Sequence, residues 1–142
     1  MNTCAVSAAG LLVVCLVFLV VQGSAFGQDG ASGLYSEAQA ARGAALYQQH
    51  CAACHGARLQ GTPAAPLAGE TFRGRWEDGK HTLDDLYYIT RSLMPNNAPG
   101  SLSRPQYADI VSYILMVNGY PSGEAELVPN ATAMKAVTLQ PH

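Results

Sequence analysis

The sequence predicts an all-α fold, and three observations predict it. Apolar residues recur at helical spacing in three separate stretches, within about 36–50, 82–93 and 105–118. Each stretch has capping chemistry at its start, and Pro95 and Asn118-Gly119 stop the second and third. No run alternates with the two-residue period of a strand, and no internal repeat is present. With 142 residues, 49% of them hydrophobic, the chain has room for one small domain and a terminal extension.

Residues 1–27 read as an export signal. The stretch 5–21 is apolar or small, and no charged side chain occurs before Asp29. Its core, 11–21, is of signal length, whereas a spanning helix needs about 20 apolar residues. Ala25 and Gly27 suit a cleavage site, leaving Gln28 first. Asn2 and Thr3 supply no positive charge, so the uncleaved alternative, a membrane anchor, stays open. Cys15 lies among valines inside the apolar core, a poor setting for lipid attachment.

Residues 28–35 form a flexible lead-in without periodicity. Ser36 is then an N-cap, with Gln39 three residues on to complete a capping box, and good helix formers run to about His50. Gly43 interrupts them at a cost of roughly 1 kcal/mol relative to Ala. It lies on the same face as Tyr47, so close approach of another helix accounts for it. Residues 56–79 hold too many Gly and Pro for an element interior and read as loop. Thr82, with Asp85 in the N3 place, starts a second helix whose buried face is Leu86, Ile89 and Leu93. Pro95 ends it. After a loop over 95–104, Pro105 opens a third helix with the stripe Tyr107, Ile110, Val111, Ile114 and Leu115. The tail after Pro121, a C-terminal extension over 122–142, has no clear period and is expected along the surface.

A net charge of −2 with interspersed signs argues against nucleic acid as a partner. The four cysteines, at 4, 15, 51 and 54, are split between the leader and one short motif, so they are no disulfide framework. That motif, Cys51-Ala52-Ala53-Cys54-His55, is C-x-x-C-H, the haem c attachment pattern. Thiols three apart share one face of a helical turn and can reach two vinyl groups of one haem, while the next imidazole meets the iron. A zinc site would need a second ligand pair downstream, and a thioredoxin-like pair a βαβ context; the sequence offers neither. A disulfide between the two would leave His55 unexplained. For the sixth ligand Met94 leads, because Met-Pro at a helix end puts a thioether in a loop that can fold over the haem. Met116 falls inside a helix, Met134 in the tail and Met1 in the leader. His50 is too near the proximal side, and His81 precedes a helix in a polar, exposed stretch. Ligation by His and Met raises the reduction potential, since a thioether favours ferrous iron.

These residues resemble a class I cytochrome c over about 36–121. The likeness is carried by Gly43 and Tyr47, by Cys51-Ala-Ala-Cys54-His55-Gly56, by Pro66-Leu67, by Met94-Pro95 and by the helix at 107–118. The resemblance implies three main helices around one covalent haem. The first and last would cross so that Gly43 and Tyr47 meet Ile110 and Tyr113. It implies that Pro66, or else Pro63, offers its carbonyl to the His55 Nδ1 proton, and that Leu67 packs on the haem face. Trp76, with Arg75 or Tyr87 as alternatives, would hold a haem propionate. More narrowly, the stretches at 72–76, 94–102 and 119–127 resemble small cytochromes associated with quinoprotein (pyrroloquinoline quinone) dehydrogenases. Similar loops occur in cytochromes of sulfur-compound and terminal-oxidase systems.

The expected function is therefore a periplasmic, mono-haem electron carrier between a dehydrogenase and an oxidase or second cytochrome. It would be a monomer or a complex subunit, bound to a membrane only if residues 1–27 are retained. A tethered cytochrome subunit of a dehydrogenase complex is the alternative. A peroxidase-like enzyme would need an open iron position, which Met94 would close.

Overall fold

The computed structural model describes residues 33–141. The expected signal or anchor, with Cys4 and Cys15, lies outside the described residues. Regular structure among the described residues is helical: α1 (Glu37–His50), α2 (Ala52–His55), α3 (Glu70–Trp76), α4 (Leu83–Leu93), α5 (Arg104–Val117) and α6 (Ala131–Lys135). The three helices legible in the sequence are α1, α4 and α5. The remaining pairing consists of isolated bridges, Ser36 with Gly123 and Thr82 with Thr138.

Capping chemistry sets the starts of the long helices. Ser36 Oγ accepts from the Gln39 backbone N–H at 3.2 Å. The expected return bond from the Gln39 side chain does not form. Its amide is buried and is taken by the tail instead, donating to the Leu127 carbonyl at 3.0 Å and accepting from the Leu127 N–H at 2.7 Å. Two otherwise unpaired buried backbone groups outweigh one exposed cap. Thr82 and Asp85 form the full box on α4, and Ser103 with Gln106 forms another on α5 ahead of Pro105.

The Asp85 carboxylate accepts from the Thr82 N–H and hydroxyl, each at 2.8 Å, and these bonds hold it below its ordinary pKa of 3.8. A carboxyl depressed by folding contributes stability that is complete above its unfolded value and is lost as pH falls through the folded one. Asp85→Ala is expected to cost about 0.5–1 kcal/mol at neutral pH. The gap from the parent protein should close below about pH 4 in urea melts recorded across pH.

Helix α5 is the centre of the core. Tyr107, Ala108, Ile110, Val111, Ile114 and Leu115 are all buried, together with Asp109 and Ser112, so the expected stripe is widened to most of the helix surface. Helix α1 crosses it at Gly43, where a side chain would overlap the Asp109 carbonyl, and Tyr113 Cβ would lie 3.0 Å away. The closest neighbour of Gly43 is thus the backbone of Asp109 rather than Ile110. Tyr47 does meet Tyr113, with ring centroids 5.3 Å apart. Beside the crossing, Arg42 makes a two-point bond to Asp109, at 3.1 and 3.0 Å, and a 3.0 Å ion pair with Glu126.

Four stretches depart from expectation. Within 56–79, residues 70–76 form α3, with Phe72 and Trp76 buried one turn apart; Gly74 between them hid the helical pattern. On α4, Leu86 is buried and Ile89 partly so, but Leu93 is 54% exposed because the last turn leaves the core. The tail does not lie along the surface. Leu127, Met134 and Leu139 enter the core, α6 is capped by Asn130, and the Leu83 N–H donates to the Val137 carbonyl at 2.8 Å. The end of the lead-in is held as well. Tyr35 is buried, its hydroxyl donates to the Tyr120 carbonyl at 2.6 Å, and its carbonyl accepts from Gly123 at 2.7 Å.

Candidate cofactor site

The end of α1 builds the motif. Cys51 closes α1, its N–H donating to the Tyr47 carbonyl at 2.9 Å, and its own carbonyl accepts from Cys54 at 3.1 Å and His55 at 2.9 Å. The two thiols and the imidazole therefore sit on one tight turn, α2, set against the end of α1. Gly56 follows with φ +81°, a positive-φ conformation that glycine adopts without strain. The Gly56 carbonyl accepts from the buried Tyr47 hydroxyl at 2.7 Å, so the α1–α5 crossing and the motif share one side chain.

The chain then folds back over the turn. Gly61 N–H donates to the His55 carbonyl at 2.8 Å, and Ala64 N–H to the Cys54 carbonyl at 2.9 Å. These bonds bring the Ala65 carbonyl to 2.8 Å from His55 Nδ1. A carbonyl can only accept, so this contact puts the ring proton on Nδ1 and leaves the Nε2 lone pair free to bind a metal. The acceptor is Ala65, neither Pro66 nor Pro63. The 61–64 bonds determine which carbonyl turns inward, and the pattern of prolines does not report that. His55 is 8% exposed, shielded but reachable.

Both thiols are free, Cys51 half-buried and Cys54 exposed. Burial, with Cys54 adding to it, pushes the Cys51 thiol up to about 11. A dithiol redox centre works by the opposite shift, a depressed pKa that supplies thiolate. Cys51 does not show that shift. Among the described residues no group of three or more His, Cys, Asp or Glu can hold a metal ion.

Leu67 is half-buried against the core, and its carbonyl accepts from Asn118 Nδ2 at 2.9 Å, while Gly69 N–H donates to Asn118 Oδ1 at 3.1 Å. Asn118, legible only as a helix end, thus fastens this segment to α5. Met94 caps the end of α4 and is half-buried, in a different segment from the motif. Trp76 is 4% exposed at the end of α3. Its ring meets His81 edge-on at 5.3 Å, and the Arg75 guanidinium lies 5.1 Å from it. The His81 side chain, 40% exposed, is paired with Asp78 at 3.0 Å. The Tyr87 hydroxyl donates to the Arg104 carbonyl at 3.2 Å. Of the rival methionines, Met134 is buried at 1% exposure and Met116 is 43% exposed on α5.

These residues fit a covalent haem. The turn supplies two free thiols three apart and one imidazole with its tautomer set. Partly covered apolar side chains, Leu46 and Leu67 among them, pack against the core beside the buried cluster.

Comparison with protein families matches residues 38–114, more than half of the chain, to the family described as cytochrome C oxidase, cbb3-type, subunit III. Among solved structures the chain is similar to the sulfane dehydrogenase SoxCD from Paracoccus pantotrophus, at 24% identity and a TM-score of 0.53. That similarity covers 70% of this chain and 52% of the other, so the chain matches about half the length of its structural neighbour, and it speaks to the fold. No curated protein matches it.

Proposed function

The chain belongs to the family described as cytochrome C oxidase, cbb3-type, subunit III, a haem-based electron-transfer domain, and from that premise we propose a mono-haem periplasmic carrier. The observation that carries the reading is the His55 imidazole, with Nδ1 tied to Ala65 and Nε2 free, one residue from a free thiol. Haem c, when bound, supplies a one-electron Fe(III)/Fe(II) couple. Cys51 and Cys54 retain it, His55 and Met94 ligate its iron, and Leu67 packs on its face. The Trp76 indole binds a propionate, with the positive charge of Arg75 beside it.

Electrons would come from a dehydrogenase, a quinoprotein among the candidates, and pass to an oxidase or another cytochrome. The family assignment supports electron transfer, and the 94–102 and 119–127 loops support the quinoprotein link. Docking is expected to be brief, as in other redox encounters. With no strong ring of lysines, it would not be lysine-dominated.

The test is the optical spectrum of the exported, purified protein in both oxidation states. A weak ferric band near the red edge, present in the parent and lost in Met94→Ala, would establish the His55 and Met94 pair. The reduction potential should fall in that variant by on the order of 0.1–0.3 V, inside the roughly 0.8 V range that axial ligands span. A high-spin ferric spectrum in the parent protein, with ready uptake of an added ligand, would sink the simple carrier and point to catalysis.

A further inference from the structure

We propose that Tyr107 is the positioning residue for Met94, its phenol acting as the clasp that holds the ligand loop closed. This rests on the reading of Met94 as an iron ligand. The loop between α4 and α5 begins at Met94, the C-cap of α4, and ends at Ser103, the N-cap of α5. Residues 96–101 are all exposed, so this stretch has no core anchor of its own. Inside the loop, Ala98 N–H donates to the Pro95 carbonyl at 2.8 Å, and Gly100 N–H to the Met94 carbonyl at 3.4 Å.

Tyr107 joins both ends. It is 1% exposed on α5, its hydroxyl donates to the Met94 carbonyl at 2.7 Å, and the same oxygen accepts from the Leu102 N–H at 3.4 Å. One rigid aromatic side chain in the core thus fixes the first and ninth residues of the loop. The Met94 carbonyl receives two donors, the phenol and Gly100, so its backbone orientation is set before its side chain is asked to do anything.

That matters because methionine is a flexible and weak ligand. Its three rotatable bonds must be ordered for the thioether to hold a metal, and a mobile backbone would add to that cost. A competing soft or nitrogenous ligand wins more easily as the loop loosens. Holding the backbone of Met94 from a buried helix is how a site on a loop gains the precision of a site on a helix.

Tyr107→Phe in the haem-loaded protein keeps the ring and its packing and removes only the clasp. The sulfur–iron band should persist, but imidazole should displace it at about one-tenth of the concentration the parent requires, the usual worth of one such bond. Tyr35→Phe removes an equally buried phenol-to-carbonyl bond, from Tyr35 to Tyr120, away from the ligand loop, and serves as the control. Its imidazole affinity should stay within about twofold of the parent. Equal shifts in the two variants, or none in Tyr107→Phe, would make Tyr107 a plain core residue and overturn the proposal. Should Tyr107→Phe fail to fold, amide exchange in the parent decides. The Leu102 amide, which donates to the phenol, should exchange more slowly than those of Asn96 and Asn97, and equal rates would refute the clasp. A parent protein without the sulfur–iron band would instead overturn Met94 ligation itself, an outcome separate from any failure of Tyr107.

Discussion

The double substitution Cys51→Ala, Cys54→Ala is expected to yield a protein that keeps no haem through a denaturing gel, where the parent stains for it. The parent should give one haem per chain by its alkaline pyridine spectrum, and two would refute the mono-haem reading. The expectation rests on geometry that leaves little alternative. The two thiols lie on one turn with the imidazole directly after them, and both are free. A covalently held cofactor stabilises its fold at any dilution, whereas one free in solution at a thousand times its dissociation constant contributes about 4 kcal/mol. The double variant should therefore lose more than about 4 kcal/mol relative to the haem-loaded parent. That is a large share of the roughly 5–15 kcal/mol that holds a small domain together. Comparison of urea melts of the two purified proteins measures it.

Gly43→Ala is expected to be nearly as damaging, although it adds one methyl group to a helix. In isolation the change would favour the helix by about 1 kcal/mol. Here the new Cβ would overlap the Asp109 carbonyl, which is backbone within the core helix and has no rotamer to yield. Helices α1 and α5 must separate, and the Tyr47–Tyr113 contact and the Arg42–Asp109 bond straddle the same crossing. Overpacking of this kind costs about 3 kcal/mol, which in a domain of this size lowers the melting temperature by roughly 10–20 °C. Gly74→Ala provides the contrast. Gly74 lies in α3 with nothing within 4 Å of its would-be Cβ, and the same substitution there should be neutral or stabilise by up to about 1 kcal/mol. Thermal melts of the two variants side by side distinguish steric exclusion at Gly43 from a general intolerance of change. Equal melting temperatures would remove the crossing as the reason for the glycine.

Both results follow from features that were visible in different degrees before any fold was known. Gly43 announced itself as a helix-weakening residue on the same face as Tyr47, so a close helix neighbour was legible, but which atom it meets was not. The attachment motif was legible in full because its chemistry is local. Five consecutive residues on one turn carry it, and no distant contact is needed to bring them together. The capping box of α4 is local for the same reason. Helix α3 was missed because seven residues with a glycine inside offer too short a period to read. The tail was missed because Leu127, Met134 and Leu139 become a pattern only when α4, α1 and the tail itself are already in place.

Helix periods, caps and C-x-x-C-H all act within a few residues, so an all-α chain with one haem-attachment turn is legible before any packing is known. Tertiary structure alone decided that Ala65, not a proline, orients His55, that Gln39 leaves its cap for Leu127, and that Tyr107 ties Met94 to the core. Each of these is a single hydrogen bond between groups that are interchangeable in the sequence. A carbonyl or an amide carries no sign of which partner it will face until packing has excluded water and the unpaired alternatives.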